Sequence, residues 1–198
     1  MDESIPLSIL VTSRDTVNLN QGFSVVPSNL VQSLTISTAD TKSDICLLIE
    51  SRMRALKVVG PDDQGALAEK ILAKSQGLLL WTNLVLEELL GCHSRKEIHQ
   101  TLEDVPRGME LLYKRTLDFM SQATRGKELA KTILIWAVCA VRPMTTGELQ
   151  GALALDIQDS FPRLEESISA LCGQLVVVDK YKRGSLVHES AREFLVAI

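Results

Sequence analysis

Three stretches of this sequence hold side chains whose types and spacing could do chemistry. Residues 7–15, Leu-Ser-Ile-Leu-Val-Thr-Ser-Arg-Asp, are a short apolar run that ends in small hydroxyls and an arginine. Such a run suits a buried strand whose tip lies at the carboxyl edge of a parallel α/β sheet, where ligands bind. Only six residues precede it, so Arg14 reads as half of a site whose other half is not in this chain; the bland alternative is an ion pair with Asp15 or another acid at the strand end. His188-Glu189 begins like a zincin motif, but Arg192 stands where the second histidine is required. A lone histidine at a strand–helix junction is otherwise a capping or core residue. Gly126-Lys127 is the only Gly-Lys pair. A P-loop would also need glycine at 121 and Ser or Thr at 128, and the chain has Ser121 and Glu128. There is no Gly-x-Ser-x-Gly elbow and no zinc-type cysteine spacing. The residues therefore predict no catalytic set and no metal site within this chain.

Composition narrows the class further. With 45% hydrophobic and 23% charged residues in 198, the chain can bury a real core in one ordinary domain or two small ones. Aromatics are only 4%, so the interior must be Leu, Ile, Val and Ala, which favours packed helices. A net charge of −4 argues against a general nucleic-acid binder. The start is acidic and lacks the layout of a secretory signal. The longest apolar run, Ile133 to Val141, is nine residues, well short of the ~20 that span a bilayer. Cys46, Cys92, Cys139 and Cys172 are scattered, and the last two lie in apolar helical stretches that favour a buried, reduced cysteine. A reduced, cytoplasmic protein is the expectation.

The elements that must position these residues follow from periodicity and punctuation. Residues 7–13 and 33–37 read as strands, with a loop over 15–32 between them. Thr41, with Asp44 as its capping-box partner, opens a helix on which Ile45, Leu48, Ile49 and Met53 share a face. Pro61 and two aspartates interrupt, and a second helix follows from about Gln64 to Ser75. Gly77 breaks it before Leu78–Leu90, a segment apolar nearly all round and hence buried. Ser94 and Glu97 cap a short helix ending before Pro106, and Met109–Ser121 is amphipathic. Leu129–Val141 is again strongly apolar. Thr145 and Glu148 cap the next helix, with Met144 as staple, and a third runs over 160–171. A strand at 175–179, a basic turn, a returning strand at 185–188 and a closing helix over 189–196 complete a winged-helix layout. The predicted fold is mainly α: a residual α/β sheet fragment (1–40), a helical lid subdomain (41–123), and a winged-helix domain with a β-hairpin (124–198).

Five segments in order carry a resemblance: Ile-Leu-Val-Thr-Ser-Arg at 9–14, Gln-Gly-Leu-Leu-Leu-Trp at 76–81, Leu-Glu-Asp-Val-Pro-Arg-Gly-Met-Glu-Leu-Leu-Tyr at 102–113, Arg-Pro-Met-Thr-Thr-Gly-Glu-Leu at 142–149, and Val-His-Glu-Ser-Ala-Arg-Glu-Phe-Leu at 187–195. Together they resemble the carboxyl half of a NACHT-type STAND nucleotide-switch ATPase of the fungal, NLR-like kind. The resemblance implies that an upstream P-loop module binds ATP or ADP and that the helical subdomain and winged helix close over the nucleotide. It further implies that Arg14 senses the terminal phosphate, with its guanidinium forked onto phosphate oxygens. By the same resemblance His188 would reach the β-phosphate of ADP, and Gly77 and Leu79 would line the adenine pocket; relatives outside the fungi often carry proline where this chain has Leu79. Partners would be a P-loop half and the effector or repeat domains of related switch proteins. No cofactor is implied for the chain alone, and ATP or ADP only once a P-loop completes the site.

Other readings stay open beside it: an NTPase completed in trans, and a DNA-binding winged helix. The second is disfavoured because the candidate recognition helix sets Arg163 against Glu165 and Glu166, and the basic tip Lys180, Lys182, Arg183 is small. Without sheet neighbours, the apolar faces at 7–13 and 33–37 are expected to be exposed and prone to association.

Overall fold

The computed structural model describes residues 7–13, 26–56 and 59–198. Residues up to Ile36 and residues from Ser37 onward form separate units. In the first, residues 7–13 carry neither helix nor strand, and the only regular element over 26–36 is a 3₁₀ turn, Ser28–Leu30. The strands expected at 7–13 and 33–37 are therefore not formed. A strand exists only by exchanging backbone hydrogen bonds with a neighbour, so β-propensity without a partner leaves extended chain. The expected exposure does hold: Leu7 is 80%, Leu10 91% and Leu34 86% exposed.

The second unit begins with five helices: α1 (Lys42–Met53), α2 (Pro61–Ser75), α3 (Leu79–Leu90), α4 (Arg95–Asp104) and α5 (Met109–Gln122). Helix α3 is the axis of this half. It buries Trp81, Thr82, Leu84, Val85, Leu86 and Leu89, as an all-apolar segment must. Ile45, Ile49 and Met53 of α1 pack toward the same core, one turn apart, with Leu67 and Ile71 of α2 and Ile98 and Leu102 of α4. Pro61 does not interrupt a helix; it starts α2, because the first helical position needs no amide hydrogen. Trp81 Nε1 donates to the Pro106 carbonyl at 2.9 Å. Lys74 donates to the carbonyls of Leu102, Glu103 and Val105, so α2 closes the open end of α4.

The caps depart from expectation in an informative way. Thr41 occupies the N-cap of α1 but makes no capping box with Asp44. Its hydroxyl donates instead to the Gly77 carbonyl at 3.0 Å, tying α1 to the α2–α3 hinge. Ser94 accepts from the Glu97 amide, whereas the Glu97 carboxylate reaches one residue further back, to His93 N–H at 2.8 Å.

The remaining chain forms α6 (Lys127–Cys139), β1 (Met144–Thr145), α7 (Thr146–Ile157), α8 (Leu164–Leu171), β2 (Val176–Val178), β3 (Arg183–Leu186) and α9 (Glu189–Ala197). The strands are antiparallel in the order β1-β3-β2, with Met144 opposite Gly184 and Val176 opposite Leu186. Strand β1 is absent from the periodicity reading, because two residues show no alternation. The Thr145–Glu148 capping box is complete. Helix α8 starts at Leu164 rather than 160: Gln158 turns left-handed at φ 57°, and the Asp159 side chain takes the Ser160 amide. Cys172 is fully buried, and burial pushes its thiol up to about 12, which makes it inert. Cys139 is not buried; it ends α6 and faces solvent. The two halves share one apolar core, and Gln174 Nε2 bridges them by donating to the Leu84 carbonyl at 2.8 Å.

Candidate functional site

His188 sits where the chain leaves β3 and enters α9. The Val187 amide is still held by the Leu175 carbonyl, while His188 is already extended, with φ −163° and ψ 158°. That geometry makes it the N-cap of α9. Its Nδ1 accepts from the Ser190 amide at 3.1 Å and lies 2.9 Å from Ser190 Oγ. Ser190 Oγ is in turn 2.9 Å from the Tyr113 hydroxyl on α5. Tyr113 is 1% exposed, and its ring meets Phe194 at 5.7 Å. Burial raises the Tyr113 phenol above its ordinary value, partly offset by the Ser190 hydrogen bond. The phenol therefore stays protonated at neutral pH. The His188 side chain itself is exposed.

One turn on, Arg192 donates to the carbonyls of Ala137, Val138 and Ala140, at the end of α6. A guanidinium is well matched to that job: its fork spans several carbonyls, and its charge opposes the negative end of the helix dipole. Glu189 sits 3.5 Å from Arg192 Nε and steadies it.

Gly77 and Leu79 lie at the α2–α3 hinge. Gly77 has φ +80°, and a Cβ there would fall 2.8–2.9 Å from Thr38, including its Cα. Glycine is needed at this position for close backbone approach. Leu79 is 40% exposed. Arg14 lies outside the described residues. No hydrogen bond links the Gly77–Leu79 hinge to His188 among the described residues; each belongs to its own local network.

Sequence reasoning singles out His188 but neither Ser190 nor Tyr113 as its partners. A hydroxyl two positions after an N-cap histidine was the legible signal for Ser190. Tyr113 is 77 residues away and left no local trace.

Two shallow clefts lie elsewhere. One, of about 300 Å³, has Trp136, Cys139, Val141, Arg142, Met144 and Glu148 on its walls. The other, of about 150 Å³, includes Phe119, Arg125, Gly126 and Lys127. Neither contains an expected site residue. Two of the three wing cations pair locally, Lys182 with Glu165 of α8 at 3.2 Å and Arg183 with Asp179 at 2.8 Å, while Lys180 lies 5.0 Å from the Tyr181 ring centroid. Among the described residues no three His, Cys, Asp or Glu side chains cluster as a metal site. No helix there is long and apolar enough to cross a membrane.

Comparison with protein-family models matches residues 117–197 to the family described as "GPI inositol-deacylase, winged helix domain". These residues form a winged-helix domain of that type. Searches for similar curated proteins and for similar solved structures give no match.

Proposed function

We propose, with a winged helix of this type as the premise, that the chain is the regulatory clamp of a NACHT-type nucleotide switch. In this reading the helical subdomain (41–123) and the winged helix (124–198) close over an ADP or ATP held by a P-loop module, and effector or repeat domains respond to their release. The supporting observation is His188: an exposed imidazole fixed by its own helix cap at the junction of the two halves. A neutral ring whose Nδ1 accepts the Ser190 amide carries its proton on Nε2, and it presents that N–H outward as a donor to a phosphate oxygen. Arg14 would be the second phosphate contact, and Leu79 an adenine-facing side chain.

Catalysis is not assigned to the chain. It has no P-loop, and it has no Gly-x-Ser-x-Gly elbow for the deacylase activity in the matched family's description. Binding to a DNA backbone is disfavoured by the helix that would enter the groove, whose Glu165 already pairs with Lys182 of the wing.

Calorimetric titration of the whole chain with ADP and ATP tests the reading. A half-site without its P-loop should bind ADP no tighter than about 1 mM, close to −4 kcal/mol. His188→Asn is the informative variant, because asparagine retains the N-cap while the imidazole is lost. Saturable ADP binding that disappears in His188→Asn and weakens in Arg14→Ala is the expected result. Binding that is absent, or indifferent to both substitutions, overturns the nucleotide role.

A further inference from the structure

The side chains of Tyr113, Ser190 and His188 form a continuous polar chain from a fully buried phenol on α5 to an exposed imidazole at the start of α9. Hydroxyls can donate in either direction, and an imidazole has two neutral tautomers, so three side chains alone would leave the proton order open. One group here has no such freedom. The Ser190 backbone N–H can only donate, and it points at His188 Nδ1 from 3.1 Å. A proton on Nδ1 would set two donors against each other at the first turn of a helix. Nδ1 must therefore be the acceptor. The Ser190 hydroxyl, 2.9 Å from the same nitrogen, then donates to it, and its oxygen is left to accept from Tyr113 O–H.

We infer that the Ser190 backbone amide sets the proton order Tyr113 → Ser190 → His188, so that neutral His188 offers Nε2–H to an oxyanion acceptor such as a phosphate group, and that Tyr113 and Ser190 are positioning residues acting through Nδ1. The consequence of that order reaches both halves of the molecule. An acceptor bound at Nε2 polarises the ring and strengthens the acceptor character of Nδ1. That tightens the cap of α9 and the Ser190–Tyr113 bond to α5. By linkage, weakening the α5 end must weaken ligand binding at His188. The direction of the chain stands on its geometry alone. The identity of the acceptor as a nucleotide phosphate rests on the function proposed above.

Long-range ¹⁵N–¹H correlation spectra of the whole chain, labelled in histidine and recorded at a pH where imidazole is neutral, read the tautomer directly. The wild type should show His188 as a single Nε2–H tautomer, together with a slowly exchanging Tyr113 hydroxyl proton. Ser190→Ala keeps the amide that fixes the tautomer, so it should leave His188 as Nε2–H while abolishing the hydroxyl signal. Ser190→Thr, which restores the hydroxyl, should recover that signal. A wild-type Nδ1–H form overturns the assignment, and so does a Tyr113 hydroxyl signal that Ser190→Ala leaves unchanged. The second arm uses ADP as probe: Tyr113→Phe keeps the ring and its packing, and should weaken ADP binding roughly threefold. Unchanged ADP affinity in Tyr113→Phe overturns the coupling. If ADP does not bind the wild type, the nucleotide reading fails while the tautomer spectra still decide the proton order.

Discussion

Helices α3 and α9 are held in the same molecule by opposite means. Helix α3 buries six side chains, whereas α9 buries one, Ala191, with Phe194 and Leu195 only partly covered. What α9 lacks in burial it makes up in directed bonds: the His188 cap, the Ser190 link to Tyr113, and the Arg192 fork on the end of α6. Burial is non-directional and is lost only when the element leaves the core. A polar tie can be exchanged for water at a net cost of about 1 kcal/mol. The contrast teaches that α3 is a fixed axis and α9 a releasable latch. Local opening is drawn from the less stable end of a fold, so α9 should open before α3.

The largest effect should come from attacking the axis. Trp81→Ala removes a fully buried ring and its bond to the Pro106 carbonyl, and should cost about 3–5 kcal/mol in urea denaturation. A loss below about 1 kcal/mol would mean that α3 is not what holds this half together.

An attack on the latch should cost less and stay local. Arg192→Met keeps the stem and removes the fork, for about 1–2 kcal/mol, since water reaches part of the site. Native-state hydrogen exchange should then show faster exchange in α9 and the end of α6, with α3 unchanged. Equal loss of protection in α3 would erase the distinction between axis and latch.

The smallest effect concerns the cap of α7, which is neither. Glu148 is pulled down from 4.5 to about 2, first by the Arg142 hydrogen bond and then by the Thr145 amide and hydroxyl. A carboxylate depressed in the folded state contributes stability that is full above 4.5 and lost as pH falls toward about 2. The melting-temperature difference between wild type and Glu148→Gln should therefore be present at neutral pH and shrink across that window. A constant difference would remove the Arg142–Glu148–Thr145 network as its source.

Features closed by local bonds were legible in the sequence. The Thr145–Glu148 box, the Ser94 cap and the apolar α3 all follow from residues within a turn or two of each other. Those that depend on distant partners were not. Thr41 was spent on Gly77, 36 residues away, instead of on its own helix. Lys74 and Arg192 look like ordinary surface cations until the helix ends they close are in place. Strand β1 is defined entirely by its pairing with Arg183 and Gly184. The N-terminal runs fail in the opposite direction: their composition says strand, but a strand is a relation between segments. At the candidate site the sequence pointed to His188, yet the residues that orient its proton, Ser190 and Tyr113, emerge only when α5 and α9 meet.

The chain holds two tryptophans, and the fold gives one to each half. Trp81 is fully buried in the core, while Trp136 is half-buried against it with its Nε1 on the Asp156 carboxylate at 2.7 Å. Their emission must differ accordingly: blue-shifted and sheltered from iodide for the first, further to the red and more accessible to quenching for the second. The molecule thus contains its own optical gauge for each half, and loosening of one beside an intact other can be watched without attaching a label.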